Sequence, residues 1–412
     1  MQFRNHTLDN GLEIIAECSE NAYSMALAFF VNTGSRDEYE GVSGVSHFLE
    51  HMVFKGTPNR KAADVNRELD EIGSQSNAFT SEEHTVYYAA VLPDYQQKAL
   101  ELLSDIMRPS LRQDDFDTEK KVIIEEIHKY DDQPPYGAHE RCMANYFGAH
   151  PLGQSVLGTI DSVTALSRDA MMSYFEKRYS PGNIKLVATG KVDFDQLIVD
   201  AEKFCGHWKS FETSRAPSTV AGNIGTEYIT RDNVSQQYLI QISPAPSATD
   251  ELRFAHRLMA AIFGDDGGSR LFWELVDTGL AEYAMTGNYE YEGAGITMGF
   301  FSSSPDSIPE VMERIDRLKQ QIQSDGVTAD ELAMAKSKLC SQLVRRAERP
   351  ASRLFAVGNN WVQRGSYVSV ADIVESFRNV TIDDIAATLA KHPLTQTASV
   401  LAGPLQPTDC TA

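Results

Sequence analysis

Apolar runs and helical periodicities recur in the same order in both halves of this 412-residue chain. Residues 24–31 (SMALAFFV) form a nearly unbroken apolar run of strand length and predict a buried strand. A polar turn follows, then a helical pattern over about residues 42–55. In the second half, residues 236–242 (QQYLIQI) predict a strand, again followed by a polar turn and a helical pattern over about residues 251–263. Later segments match at an offset of roughly 200 residues or a little more. The helical stretch 116–130 corresponds to 329–346. The helical stretch 168–179 and the strand 183–188 correspond to 382–390 and 398–401.

This repetition predicts an internal duplication, and two units are too few for a solenoid. The stretch 210–223 (SFETSRAPSTVAGN) is polar and aperiodic and contains Pro and Gly, which marks a linker. The expected organisation is a domain over 1–212, a linker over 213–224 and a homologous domain over 225–412. Strands mix with long helices without strict βαβ alternation. The predicted class is therefore α+β, with helices packed on mainly antiparallel sheets.

Composition narrows the function. A net charge of −21 disfavours nucleic acid, whose phosphates need clustered Lys and Arg. It is compatible with attraction of basic peptides and equally with a plain solvated acidic surface. No run approaches the roughly 20 apolar residues of a membrane span. The first residues (MQFRNH) lack a basic-then-apolar leader and run into a strand-like segment at 12–16, so a soluble cytoplasmic protein is expected. Cys18, Cys142, Cys205, Cys340 and Cys410 are scattered without CxxC spacing, which predicts neither a disulfide framework nor a cysteine metal site.

The chemistry concentrates in the predicted helix over 42–55. His47 and His51 lie four apart and Glu50 three from His47, so all three share one side of a helix. Two imidazoles at that spacing can chelate one zinc ion, and the adjoining carboxylate can take a proton from its water. The order HxxEH inverts the better-known HExxH and keeps the same groups together. Val45, Phe48, Leu49, Met52, Val53 and Phe54 surround the motif and predict a buried helix, where ionisable groups need partners.

A catalytic zinc wants a third protein ligand and an open position. In the stretch 116–130, Glu119 and Glu126 are two helical turns apart and share a face with Val122, Ile123 and Ile127. Glu125 is rotated away. Glu119 and Glu126 are thus expected to point inward.

The run from His47 through Thr57 (HFLEHMVFKGT) resembles the signature of the pitrilysin/insulinase (M16) metallopeptidases. It is most similar to the branch holding mitochondrial processing peptidase and small bacterial homologues, which implies a bacterial origin. The resemblance covers essentially the whole chain. It implies one Zn2+ per chain held by His47, His51 and Glu126, with Glu50 as general base and Glu119 as a second essential carboxylate. Asn77, Ala78, Phe79 and Thr80 are similar to the family's edge strand, which binds substrate backbone by strand addition. The string from Gly267 to Phe272 (GGSRLF) resembles the C-terminal motif whose Arg, here Arg270, contacts substrate.

The family's following Tyr corresponds to Tyr283, displaced by one residue, with Tyr289 and Tyr291 as alternatives. The second half has no HxxEH at the equivalent helix, where FAHRL stands at 254–258. The resemblance implies two homologous domains facing each other around a cavity, and a zinc endopeptidase acting on peptides or unfolded segments. The expected assembly is a homodimer or a heterodimer with a related chain. The alternative is a non-catalytic or partner-dependent subunit of a heteromeric processing peptidase. Such subunits usually carry a broken zinc motif, and this one is intact.

Overall fold

The computed structural model describes residues 1–215, 218–232 and 234–406. Residues 216 and 217 of the expected linker, and Cys410, lie outside the described residues. The chain divides into two compact units, each built on one sheet.

In the first unit the strands are β1 (Gln2–Thr7), β2 (Glu13–Cys18), β3 (Met25–Val31), β4 (Gln75–Thr80), β5 (Thr85–Val91) and β6 (Ile184–Gly190). Their order is β1-β2-β6-β3-β5-β4, all antiparallel except the β2–β6 pair. The apolar run predicted as a buried strand is β3, buried at every position. The second unit has β7 (Gly225–Thr230), β8 (Gln237–Pro244), β9 (Tyr283–Tyr291), β10 (Ala294–Ser303) and β11 (Ala398–Gly403). Their order is β7-β11-β8-β10-β9, with only β7–β11 parallel. Both sheets are thus mainly antiparallel, as the patterning predicts.

The units do not follow the sequence halves. The Pro134–Phe147 helix lies against β8 and β11 of the second unit, where Ala138, Cys142 and Met143 join a core with Ile240, Ile242 and Val400. Reciprocally, the Pro350–Arg364 helix packs on β3 and β6 of the first unit, placing Leu354 and Val357 against Phe30 and Val187. The boundary drawn at the linker is therefore crossed twice. Each sheet has a second apolar face to cover, and a helix from the other half covers it. A buried ion pair fixes the register of the second exchange. Both Nε and Nη2 of Arg353 donate to Glu17 on β2, at 2.7–2.9 Å, and Tyr367 donates to the same carboxylate at 2.6 Å.

Two buried histidines should make the fold acid-sensitive. His256 is bonded to Thr388 at 3.0 Å and to Thr297 at 2.6 Å, and burial drives its pKa down to about 3. Burial, with Arg215 and Arg36 nearby, drives His84 to about 3 as well. Unfolding returns both toward 6.5. Between those values the unfolded chain binds more protons than the folded one, so stability falls as pH falls from 6.5. Each group contributes at most about 1.4 kcal/mol per pH unit. Urea unfolding at about pH 7.5 and about pH 5.5 should show this loss, and His256→Gln should reduce it. Equal losses in the two proteins would contradict a neutral buried His256.

Among the described residues, no helix is long and apolar enough to cross a membrane.

Candidate metal centre

The HxxEH residues sit on the Val45–Val53 helix, shorter at both ends than the periodicity suggests. Its start is fixed by Gly44, whose φ of 86° is open to glycine, and whose Cβ, if present, would meet the Leu157 carbonyl oxygen at 2.5 Å. The backbone N–H groups of Gly44 and Ser46 donate to Glu38 at 2.7 and 2.8 Å, satisfying donors that a helix start leaves open. Burial nonetheless pushes the Glu38 carboxyl up to about 8. Ser46 also shares a 2.8 Å bond with the buried Tyr174 hydroxyl. Phe48 stacks on Phe116, with centroids 4.7 Å apart, which docks this helix on the Gln113–Asp132 helix that carries the carboxylates.

That docking brings His47, His51 and Glu126 together, with one potential ligand atom from each lying within 4.8 Å of the others. Glu126 Oε2 is 3.8 Å from His47 Nε2 and 3.6 Å from His51 Nε2. These separations are too long for good hydrogen bonds. They are close to the roughly 3.3–3.5 Å expected between ligands that each lie about 2.0–2.1 Å from a tetrahedral zinc ion. The donor set, two imidazoles and a carboxylate, also suits zinc. Burial, helped by the neighbouring His51, pushes His47 down to about 3, so its ring is neutral and able to ligate. The residues present therefore fit the metal.

Glu119 is buried and bonds His51 Nδ1 at 2.9 Å. Its other oxygen takes a 2.6 Å contact from Lys55. Burial opposes ionisation of Glu119, but His51 and Lys55 outweigh it and hold the carboxyl below its ordinary value. For His51, burial works against the charged ring, while the bond to Glu119 and the carboxylates of Glu50 and Glu126 raise its pKa overall. Helical phase places Glu119 inward, as expected, along with Ile123 and Ile127. Val122 departs from that stripe and is 47% exposed, because it falls a further 100° round the helix from Ile123.

Glu50 borders the same site. Burial raises its carboxyl above the ordinary range, and Thr80 donates to its Oε2 at 2.8 Å. Thr80 lies on β4, the sheet's edge strand. Side chains alternate along β4, so Ala78 is buried while Asn77 and Phe79 are exposed. Asn77 Oδ1 accepts from the Ala78 N–H at 2.9 Å, and Phe79 lies 5.7 Å from the Phe355 ring.

The remaining predicted residues belong to the second unit. Arg270 is bound to Glu331 at 2.8 and 3.0 Å and to the Gly326 carbonyl at 3.0 Å. Tyr283 opens β9 and is 46% exposed; Tyr289 is 39% exposed and Tyr291 is buried. Sequence reasoning missed Lys55, Glu38 and the Thr80 contact with Glu50. Lys55 falls one turn beyond His51, a spacing that could have pointed to it.

Comparison with known proteins gives the family. Residues 13–160 match insulinase (peptidase family M16), and residues 165–339 match the peptidase M16 inactive domain. An uncharacterized zinc protease of Rickettsia felis is 31% identical over 98% of this chain and 98% of its own length. A protease from Helicobacter pylori shares the fold, with a TM-score of 0.91 at 22% identity over 98% of this chain and 99% of that one. The peptidase M16 inactive domain structure from Pseudomonas fluorescens superposes with a TM-score of 0.92 at 17% identity, covering 98% of each chain. The family matches and the relatives named zinc protease define a protein of the zinc protease class. The chain belongs to the insulinase family, peptidase family M16.

Proposed function

We propose that this chain is a zinc-dependent endopeptidase that hydrolyses peptides or unfolded polypeptide segments. The observation that carries the reading is the convergence of His47, His51 and Glu126 beside the buried Glu50 and the open edge of β4. His47, His51 and Glu126 would hold one zinc ion, which when bound would supply Lewis acidity for water activation near neutral pH. Glu50, its proton affinity raised by burial, accepts the proton of the attacking water and delivers it to the leaving amine. Thr80 holds one Glu50 oxygen and leaves the other for that transfer. Glu119 accepts from His51 Nδ1–H and so leaves the Nε2 lone pair, which faces Glu126, free to ligate. The stretch from Asn77 to Thr80 offers its free edge to an extended substrate, with the Asn77 carboxamide giving up its bond to the Ala78 N–H.

The test is a quenched-peptide assay on the purified chain alone, with zinc quantified by mass spectrometry. Chelator-sensitive turnover at one zinc per chain is expected. Zinc binding without turnover would instead favour a partner-dependent or non-catalytic subunit. Glu119→Ala should weaken zinc affinity by about 10–100-fold, read by competition with a chromophoric chelator. Unchanged affinity would remove Glu119 from the positioning role.

A further inference from the structure

A cavity of about 420 Å3 opens on the first unit and shares no residue with the metal centre. Arg108, Phe175, Tyr179, His207, Trp208 and Lys209 line it. Arg108 follows the Gln96–Ile106 helix, and its guanidinium lies over two rings. Its central carbon is 3.7 Å from the Trp208 centroid and 5.7 Å from that of Phe175. Trp208 and Tyr179 are buried, so this wall is apolar and fixed.

The charge on Arg108 is met by ring faces rather than by an acid among the described residues. A guanidinium has five N–H donors in a rigid fork. Among the described residues, the hydrogen bond Arg108 makes is from Nη1 to the Met107 carbonyl, at 2.7 Å. No carboxylate among the described residues pairs with it, although exposed Glu176 stands on the cavity rim. Nearby Arg60 shows the opposite condition, with Glu68, Glu101 and Asp105 all in contact. Burial pushes Arg108 down to about 10, which leaves it charged at neutral pH. In a chain of net charge −21, a half-buried cation without a counter-ion is out of keeping with its surroundings. Lys209 adds a second positive charge at the same cavity.

We propose that this cavity binds a small organic carboxylate with a flat apolar body, the carboxylate on the Arg108 fork and the body against Trp208 and Phe175. The fork matches a carboxylate bidentately, and aromatic walls favour a planar partner. The volume falls within the roughly 300–1,000 Å3 of small-molecule sites. Such an acid can be a free aromatic acid or the C-terminus of a peptide that ends in an aromatic residue.

Calorimetric titration of the purified chain separates the cases. The probes are benzoate for a free acid, N-acetyl-L-phenylalaninate for a peptide terminus, and benzamide as the neutral counterpart of benzoate. At least one acid should bind at one site per chain with a Kd of about 1 mM or tighter, and quench Trp208 fluorescence. Benzamide should bind at least about tenfold more weakly than benzoate if benzoate is the acid that binds, and N-acetyl-L-phenylalaninamide plays the same part for the peptide terminus. Arg108→Gln should weaken the acid by about tenfold or more and leave the amide unchanged. Failure of both acids to saturate, equal binding of acid and amide, or an Arg108→Gln protein that binds the acid as before would each overturn the proposal. The acid–amide comparison is made on the unaltered chain and does not depend on the folding of a variant.

Discussion

Glu50→Gln is expected to lower kcat by a factor on the order of 10²–10⁴, the usual contribution of a positioned general base, while zinc content stays at the level of the parent chain. Three observations set that expectation. Glu50 is not one of the three groups whose ligand atoms converge, so its amide analogue leaves His47, His51 and Glu126 in place. Burial raises the Glu50 carboxyl, which brings its proton affinity nearer to working pH and favours transfer in both directions. The Thr80 hydroxyl can donate to the glutamine oxygen as it does to Glu50 Oε2, so the side chain keeps its orientation and only basicity is lost. The measurement pairs steady-state kinetics on a quenched peptide with metal analysis of the same sample. Full activity at full zinc would end the base assignment. Loss of activity together with loss of zinc would show instead that Glu50 supports the metal.

Much of this site can be read from the chain, for reasons specific to it. His47, Glu50 and His51 lie within five residues on one helix, so local periodicity alone brings them together. Glu119 and Glu126 are distant in sequence, but two-turn spacing puts both on the buried side of a second helix, beside Ile123 and Ile127. The contact between the helices is tertiary. It depends on Phe48 stacking on Phe116, which no pattern within either helix encodes. The same holds for Thr80 and Glu50, joined across a strand and a helix, and for Lys55, whose partner Glu119 is 64 residues away. The exchanged helices were the least legible part of the fold. The Pro350–Arg364 helix has an ordinary amphipathic pattern, and that pattern says which face is buried but not which sheet receives it. Arg353 and its pairing with Glu17 decide that, over 336 residues of sequence. Duplication was visible because strand and helix periods repeat. At the corresponding helix of the second unit stands His256, whose two ring nitrogens are engaged by Thr388 and Thr297.

Glu126→Ala should abolish stable zinc binding, with affinity falling by more than the roughly hundredfold that a lost outer-sphere partner costs. Without Glu126 the site retains two imidazoles, and a catalytic zinc centre rests on three protein ligands. No neighbouring group can take the vacated place cheaply. Glu119 would have to release both His51 and Lys55, leaving a buried ring nitrogen and an ammonium without their partner. Glu125 is adjacent in sequence, but it is exposed and points about 100° away round the helix. Glu125→Ala is therefore the matched control and should bind zinc as the parent does. Glu126→Gln retains a neutral oxygen ligand and should fall between the two. Competition against a chelator of known affinity reads all three proteins on one scale. Equal zinc affinity in Glu126→Ala and Glu125→Ala would refute the His47, His51 and Glu126 ligand set. A loss confined to Glu126→Ala, with circular dichroism unchanged, would tie the metal to helical phase rather than to the general acidity of the chain.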